Sequence, residues 1–405
     1  MPVTEANLML ASLSPFTRRR INSLPGSYSL PDPLPWPLLA TPLARTEDGL
    51  ARLDERLRSS PIREGWSARA HFMDAAAALW LEGELVPIED LVLHDAGMDV
   101  RAPTHQVARA HQALRARRRI AAVEPGWALS ARGLDALRGR RGEGRTDEAG
   151  TPAGDAPDDE PDADDVSDEE LDEIASDTDG GDELAALLAG ADQAIARAER
   201  ALAAGPGASP LRPARDPLLY DGDWDEEGRL REWRKALDRA GSLPPTLAAA
   251  IALDAWEAIQ PLERRPWLGP LLAAALLRQR GKAGAHLPCL ALGLKAVPRE
   301  RRRAPDPAIR LAARLEGIAA AAEMGLKDHD RWLTARAVLG RKLQGRRSTS
   351  SLPRLIDLVL SRPLVSAGMI AKELGVTPRA AQDLVRALGL REATGRGRYR
   401  AWGVL

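Results

Sequence analysis

The amino-acid sequence predicts a mainly α-helical protein: a helical body followed by a C-terminal winged helix-turn-helix. Three observations predict it. Apolar residues recur at helical spacing through most of the chain. Alanine, leucine and arginine dominate where β-branched alternation would mark strands. Around Gly375, a helix stop, a helix start and a return to apolar residues follow one another as they do in a helix-turn-helix.

Residues 1–35 are rich in proline and serine. Leu30-Pro31-Asp32-Pro33-Leu34-Pro35 spells an extended lead-in. In the segment 36–140, helical periodicity is clear from Pro42, with Leu43, Leu50, Leu53 and Leu57 close to one face. A second helix is expected over Trp66–Glu82, with Ala70, Met73, Ala77 and Trp80 inward, and a third over Pro103–Arg118. The stretch 146–183 has no Lys or Arg and includes Pro157-Asp158-Asp159-Glu160-Pro161-Asp162. It cannot bury enough apolar surface to offset the entropy of ordering, and is expected to be a disordered linker. In the continuation 184–344, helices are expected at Asp182–Ala204, Arg229–Ala240, Pro244–Ile259, Pro266–Arg280, Ala308–Met324 and Asp328–Leu343. A small polar linker, Gly345–Ser351, then precedes the head at 352–405.

The formal net charge of -1 conceals an asymmetry. Between Thr146 and Ala196 there are 19 Asp and Glu and no Lys or Arg. The rest of the chain carries 57 basic residues against 39 acidic ones, a formal +18, which suits a polyanionic partner. The acidic segment is either an inert spacer or a competitor with that partner for the basic surface, and the second is the hypothesis tested. Deleting residues 146–184 should then raise non-specific DNA affinity at low salt, and an unchanged affinity would refute the idea. A single cysteine, Cys289, excludes an internal disulfide framework and a multi-cysteine zinc site. No apolar run is long enough to span a membrane. Glu5 precedes and Arg18-Arg19-Arg20 follows the weak N-terminal apolar stretch, the reverse of a secretory leader, so a cytoplasmic location is expected.

In the head, Gly375 suits the left-handed end of one helix and Val376 the turn. Thr377 suits the cap and Pro378 the first turn of the next helix, which Leu384, Val385 and Leu388 return to the core. An earlier helix, Pro353–Ser361, completes a three-helix unit. On the second helix of the motif, Arg379, Gln382, Asp383 and Arg386 point outward beside Thr377. Arg and Gln are the side chains suited to bidentate contact with base edges. The run Arg396-Gly397-Arg398-Tyr399-Arg400-Ala401-Trp402 predicts a hairpin wing, in which Arg396, Arg398 and Arg400 grip phosphates. The expected partner is double-stranded DNA. One winged helix offers a small interface, so a homodimer formed through the body is expected to supply the rest. Two basic runs, Arg115–Arg119 and Arg299–Arg303, are either auxiliary phosphate contacts or solvated helix ends.

No phosphate-binding glycine loop, His-Glu-x-x-His or nucleophile motif occurs, and the six histidines read as capping or surface residues. No catalytic residues, metal or cofactor are expected.

Leu34-Pro35-Trp36-Pro37-Leu38-Leu39, Trp80–Leu85, Asp90–Asp95, Leu287–Leu290 and Thr394–Trp402 together resemble a family of alphaproteobacterial, often plasmid-borne, proteins. Those carry an uncharacterised N-terminal domain before a helix-turn-helix, which implies DNA binding in transcriptional regulation or plasmid maintenance. A second resemblance is to the Fic (AMP-transferase) fold. Glu82-Gly83 looks like the Glu-Gly of that family's inhibitory helix, with Ala78 in place of its serine, and Trp267–Leu272 looks like the segment after its catalytic loop. The matching loop, Gln260–Pro266, lacks the histidine base, the glycines and the asparagine, so this resemblance implies a degenerate, inactive copy. The alternative function it implies is protein–protein binding, with the winged helix as a docking module.

Overall fold

The computed structural model describes residues 28–99, 102–139, 224–343, 351–393 and 400–404. The acidic segment, the helix expected at Asp182–Ala204, residues 344–350, Arg396 and Arg398 lie outside the described residues, as does the lead-in up to residue 27. The described residues other than Trp224 belong to one unit, formed from residues 1–143 and 225–405.

The body runs α1 (Trp36–Arg58), α2 (Arg63–Leu81), α3 (Ile88–Asp95), α4 (His105–Ala122), a 3-10 turn at Trp127–Leu129, and α5 (Ala131–Leu137). It continues with α6 (Glu226–Arg239), α7 (Pro245–Ile259), α8 (Leu268–Gln279), α9 (Leu290–Lys295), α10 (Arg299–Arg302) and α11 (Pro307–Arg341). The head follows as α12 (Leu352–Ser361), β1 (Val365–Ser366), α13 (Ala367–Leu374), α14 (Pro378–Leu388), β2 (Arg391–Glu392) and β3 (Ala401–Gly403).

Helix α7 is apolar on every side, and every residue from Thr246 to Trp256 is buried. A helix of that composition can only be central, with α6, α8 and α11 packed round it. Its one buried charge, Asp254, is compensated on both oxygens: Arg310 donates to Oδ1 and Oδ2 at 2.9 and 3.2 Å, and the Tyr28 hydroxyl to Oδ2 at 3.1 Å.

The structure departs from the sequence expectations in several places, each with a local cause. Helix α1 begins at Trp36, so Pro42 lies inside it. A single 35-residue α11 replaces the two helices expected on either side of Gly325. Gly325 is there for close approach, not as a break. A Cβ on it would fall 2.7 Å from Leu53 Cδ2, and its carbonyl accepts from Trp66 Nε1 at 3.1 Å. Met73 is exposed and Trp80 only half-buried, its ring facing the Lys295 ammonium at 5.1 Å. His286 and His329 are core residues, not surface ones. His286 shares Asp54 with Arg58 and the Ala285 N–H. Burial pushes the Asp54 carboxyl up, but those donors outweigh it and hold the group at about 2.

The two basic runs are only partly solvated: Arg115, Arg119 and Arg299 are exposed, while the other arginines turn into the body. Arg117 is buried against Asp74. Arg118 pairs with Asp95 and lies over the Phe72 ring, and Arg119 lies over Trp127. In the second run Arg301 pairs with Glu316, Arg303 with Glu257, and the buried Arg302 donates to the Val297 carbonyl. Much of the basic excess therefore works inside the body.

Candidate nucleic-acid interface

The head begins with α12, whose buried face is Leu352, Leu355, Ile356, Leu358, Val359 and Leu360. Ser366 caps α13 by accepting from the Met369 N–H at 3.2 Å. Helix α13 stops at Gly375 (φ 68°), a left-handed conformation that costs glycine nothing. The half-buried Val376 fills the turn and donates its N–H to the Ala371 carbonyl at 3.1 Å. Thr377 then accepts from the Ala380 N–H at 3.2 Å and Pro378 occupies the first turn of α14. Ala381, Val385 and Leu388 are buried and Leu384 half-buried, which fixes how α14 is rotated about its axis.

That rotation leaves Arg379, Gln382, Asp383 and Arg386 exposed as one stripe. Among the described residues, Arg379 and Gln382 have no side-chain partner. Arg386 reaches Asp383 at 2.6 Å, with side chains 75% and 60% exposed. So exposed a pair is weak, and Arg386 can exchange it for a phosphate or base at little cost. Thr377 is exposed at the start of α14, where its oxygen caps the helix.

The wing is a three-stranded antiparallel sheet in the order β1-β3-β2. Val365 pairs with Trp402, Ser366 with Ala401, and Arg391 with Gly403. β1 escapes the sequence analysis because two residues carry no period; pairing with β3 creates it. The expected alternation of basic and aromatic residues also stops short. Ala401, Trp402 and Gly403 are all buried, because β3 is the middle strand and its end is covered by the body. Arg400 is exposed and lies 3.6 Å from Glu392 on β2. Arg396 and Arg398, expected to grip backbone with it, lie outside the described residues.

Over 352–405 the sequence has nine basic residues and four acidic ones, a local +5. An exposed Arg and Gln without partners among the described residues, on a capped helix and backed by that charge, have the chemistry to bond base edges.

Glu82, the residue of the Fic resemblance, has structural partners here. It pairs with Arg109 at 2.5 Å and accepts from the backbone N–H of Trp267, and burial pushes its carboxyl up to about 7. In the loop Gln260–Pro266, the Arg265 guanidinium donates to the Leu137 carbonyl.

Sequence reasoning missed one residue that bears on this surface, Arg69. It lies on the buried face of α2 beside Trp66 and Ala70, and an arginine in such an apolar stripe is itself a signal. Among the described residues, no helix is long and apolar enough to cross a membrane.

Two stretches of the chain match known families. Residues 218–344 match one described as "Protein of unknown function (DUF1612)", and residues 352–405 match one described as "HTH DNA binding domain". The chain is also similar to the uncharacterized protein y4cF of Sinorhizobium fredii. The two are 48% identical over 368 residues, which cover 88% of this chain and 94% of that protein.

Proposed function

The chain belongs to the family of that Sinorhizobium protein, with a DUF1612 domain followed by a C-terminal helix-turn-helix DNA-binding domain, and on that premise we propose that it is a sequence-specific DNA-binding protein, not an enzyme, acting in transcriptional regulation or plasmid maintenance. The observation that carries the proposal is the exposed stripe of α14, where Arg379 and Gln382 have no side-chain partner among the described residues and stand beside Arg386. Because many arginines of the body are engaged with carboxylates, carbonyls and rings, general attraction to DNA is weaker than the composition suggests, and the head must do the recognising.

Mapping occupied sites across the cell's DNA tests the proposal. Enrichment upstream of transcribed genes supports regulation, and a single cluster beside a replication or partition region supports maintenance. Uniform occupancy would overturn both and favour the docking-module reading.

A single winged helix buries about 600–1,000 Å² on DNA, so two copies on a two-fold site are the expected active form. Light scattering at micromolar concentration should find a dimer on DNA. A monomer both with and without DNA would overturn this part of the proposal.

A further inference from the structure

Arg69 is part of the body, in α2, but its hydrogen bonds go to the head. Nη1 donates to the Val359 carbonyl at 3.1 Å and the Arg362 carbonyl at 2.7 Å. Nη2 donates to the Pro363 carbonyl at 3.3 Å and the Val404 carbonyl at 2.9 Å. The residue is 7% exposed, and its guanidinium lies 4.9 Å from the centre of the Trp332 ring of α11. Val359 and Arg362 close α12, whose last carbonyls have no partner within the helix and form its negative end. Val404 follows β3. One planar fork thus joins the end of α12, the turn after it and the end of the wing to the body. Among the described residues no carboxylate pairs with it. Burial brings its pKa down to about 10, which leaves it charged at neutral pH.

Three further contacts fasten the head to residues outside it. Arg362 approaches Asp95 of α3 at 3.5 Å, and the Ser366 hydroxyl at the start of α13 donates to Met98 Sδ at 3.7 Å. Lys342, just past the end of α11, donates to the Leu388 carbonyl at the end of the recognition helix. The head is therefore held at α12, at α13 and at α14 by residues outside it.

We propose that Arg69 is a positioning residue for DNA recognition: by fastening α12 and β3 to the body, it fixes the orientation of α14, so that body and head meet DNA as one rigid unit. This rests on the DNA-binding reading above. It also makes the body a determinant of specificity, because in a dimer the spacing of two heads is then set by the body and not by a flexible tether.

The test uses the full chain with Arg69→Lys and Arg69→Met. Spin labels at Glu55→Cys on α1 and Glu373→Cys on α13 report the body–head distance; both positions are exposed, while Cys289 is buried and stays unlabelled. With Arg69 in place the distance distribution is expected to be single and narrow, and in both variants broad. Lysine keeps the charge but has its donors on one atom, which cannot span four carbonyls in separate segments. If the competent orientation falls to a tenth of the population, apparent DNA affinity falls about tenfold. The preferred bases and the salt slope should not change, because Arg69 touches no phosphate.

A narrow distribution in the variants would overturn the proposal, as would a broad one with unchanged affinity or a reduced salt slope. If Arg69→Met fails to fold, Arg69→Lys decides between these outcomes. If the unsubstituted chain selects no DNA sequence, the DNA-binding reading fails and the proposal with it; the distance distribution then shows only whether the head is fastened.

Discussion

Replacing Arg117 with methionine is expected to lower the unfolding free energy by about 3–5 kcal/mol, the scale for breaking a buried ion pair from one side. Arg117 and Asp74 have side chains only 1% exposed, and Nη1 donates to Asp74 Oδ2 at 2.6 Å. The same guanidinium donates to the Leu287 carbonyl at 2.6 Å and the Pro288 carbonyl at 3.0 Å. It thus joins α2 and α4 to the segment leading into α9, while Asp74 Oδ1 accepts from the Leu292 N–H at 2.9 Å. Burial raises the Asp74 pKa even with Arg117 beside it. Without Arg117 that carboxylate is stranded, and folding favours its protonated form. A group whose folded pKa is raised loses stability as pH climbs above its unfolded value. The deficit of the variant should therefore be smallest in acid, where Asp74 is protonated in both folded proteins, and grow once pH passes the raised Asp74 pKa of the unsubstituted protein. Asp74→Asn on top of Arg117→Met removes the stranded charge, keeps an acceptor for Leu292 and should recover part of the loss. Urea midpoints of the two variants measure this. A loss below about 1 kcal/mol for Arg117→Met would show that the pair adds little.

The second large effect concerns binding, not stability. Arg379→Ala combined with Gln382→Ala should weaken specific DNA binding by about 1–3 kcal/mol for each side chain that reads a base. Both positions are exposed on α14, so truncation leaves no cavity and no buried polar group unpaired, and the thermal midpoint should barely move. That separation makes the pair informative: lost affinity cannot be attributed to an unfolded head. Non-specific binding, which comes from phosphate contacts, should fall much less than specific binding.

The head was legible in the sequence because its punctuation is local. Gly375, Thr377 and Pro378 each do within one turn what their chemistry suggests, and the exposed stripe of α14 follows from the buried positions of the same helix. The body was legible as helices but not as a packed object. A glycine signals both a helix end and a close approach, and Gly325 is the second kind because Leu53 and Trp66 arrive from distant parts of the chain. Helix α3 escaped because eight residues hold barely two turns of apolar pattern. The basic runs were only partly legible for a similar reason. What decides whether an arginine faces solvent is the partner folding brings to it, and Asp74 lies 43 residues from Arg117. Arg69 is the extreme case, since its acceptors are backbone carbonyls 290–335 residues away that carry no mark in the sequence.

DNA selection from a random-sequence pool with the full-length chain, run beside the Arg379→Ala/Gln382→Ala variant, tests most directly that α14 reads bases. A defined motif recovered by the unsubstituted chain and lost by the variant is the predicted result. Recovery of no motif, or of the same motif by both proteins, would contradict it, and the winged helix would then be a surface for something other than DNA bases.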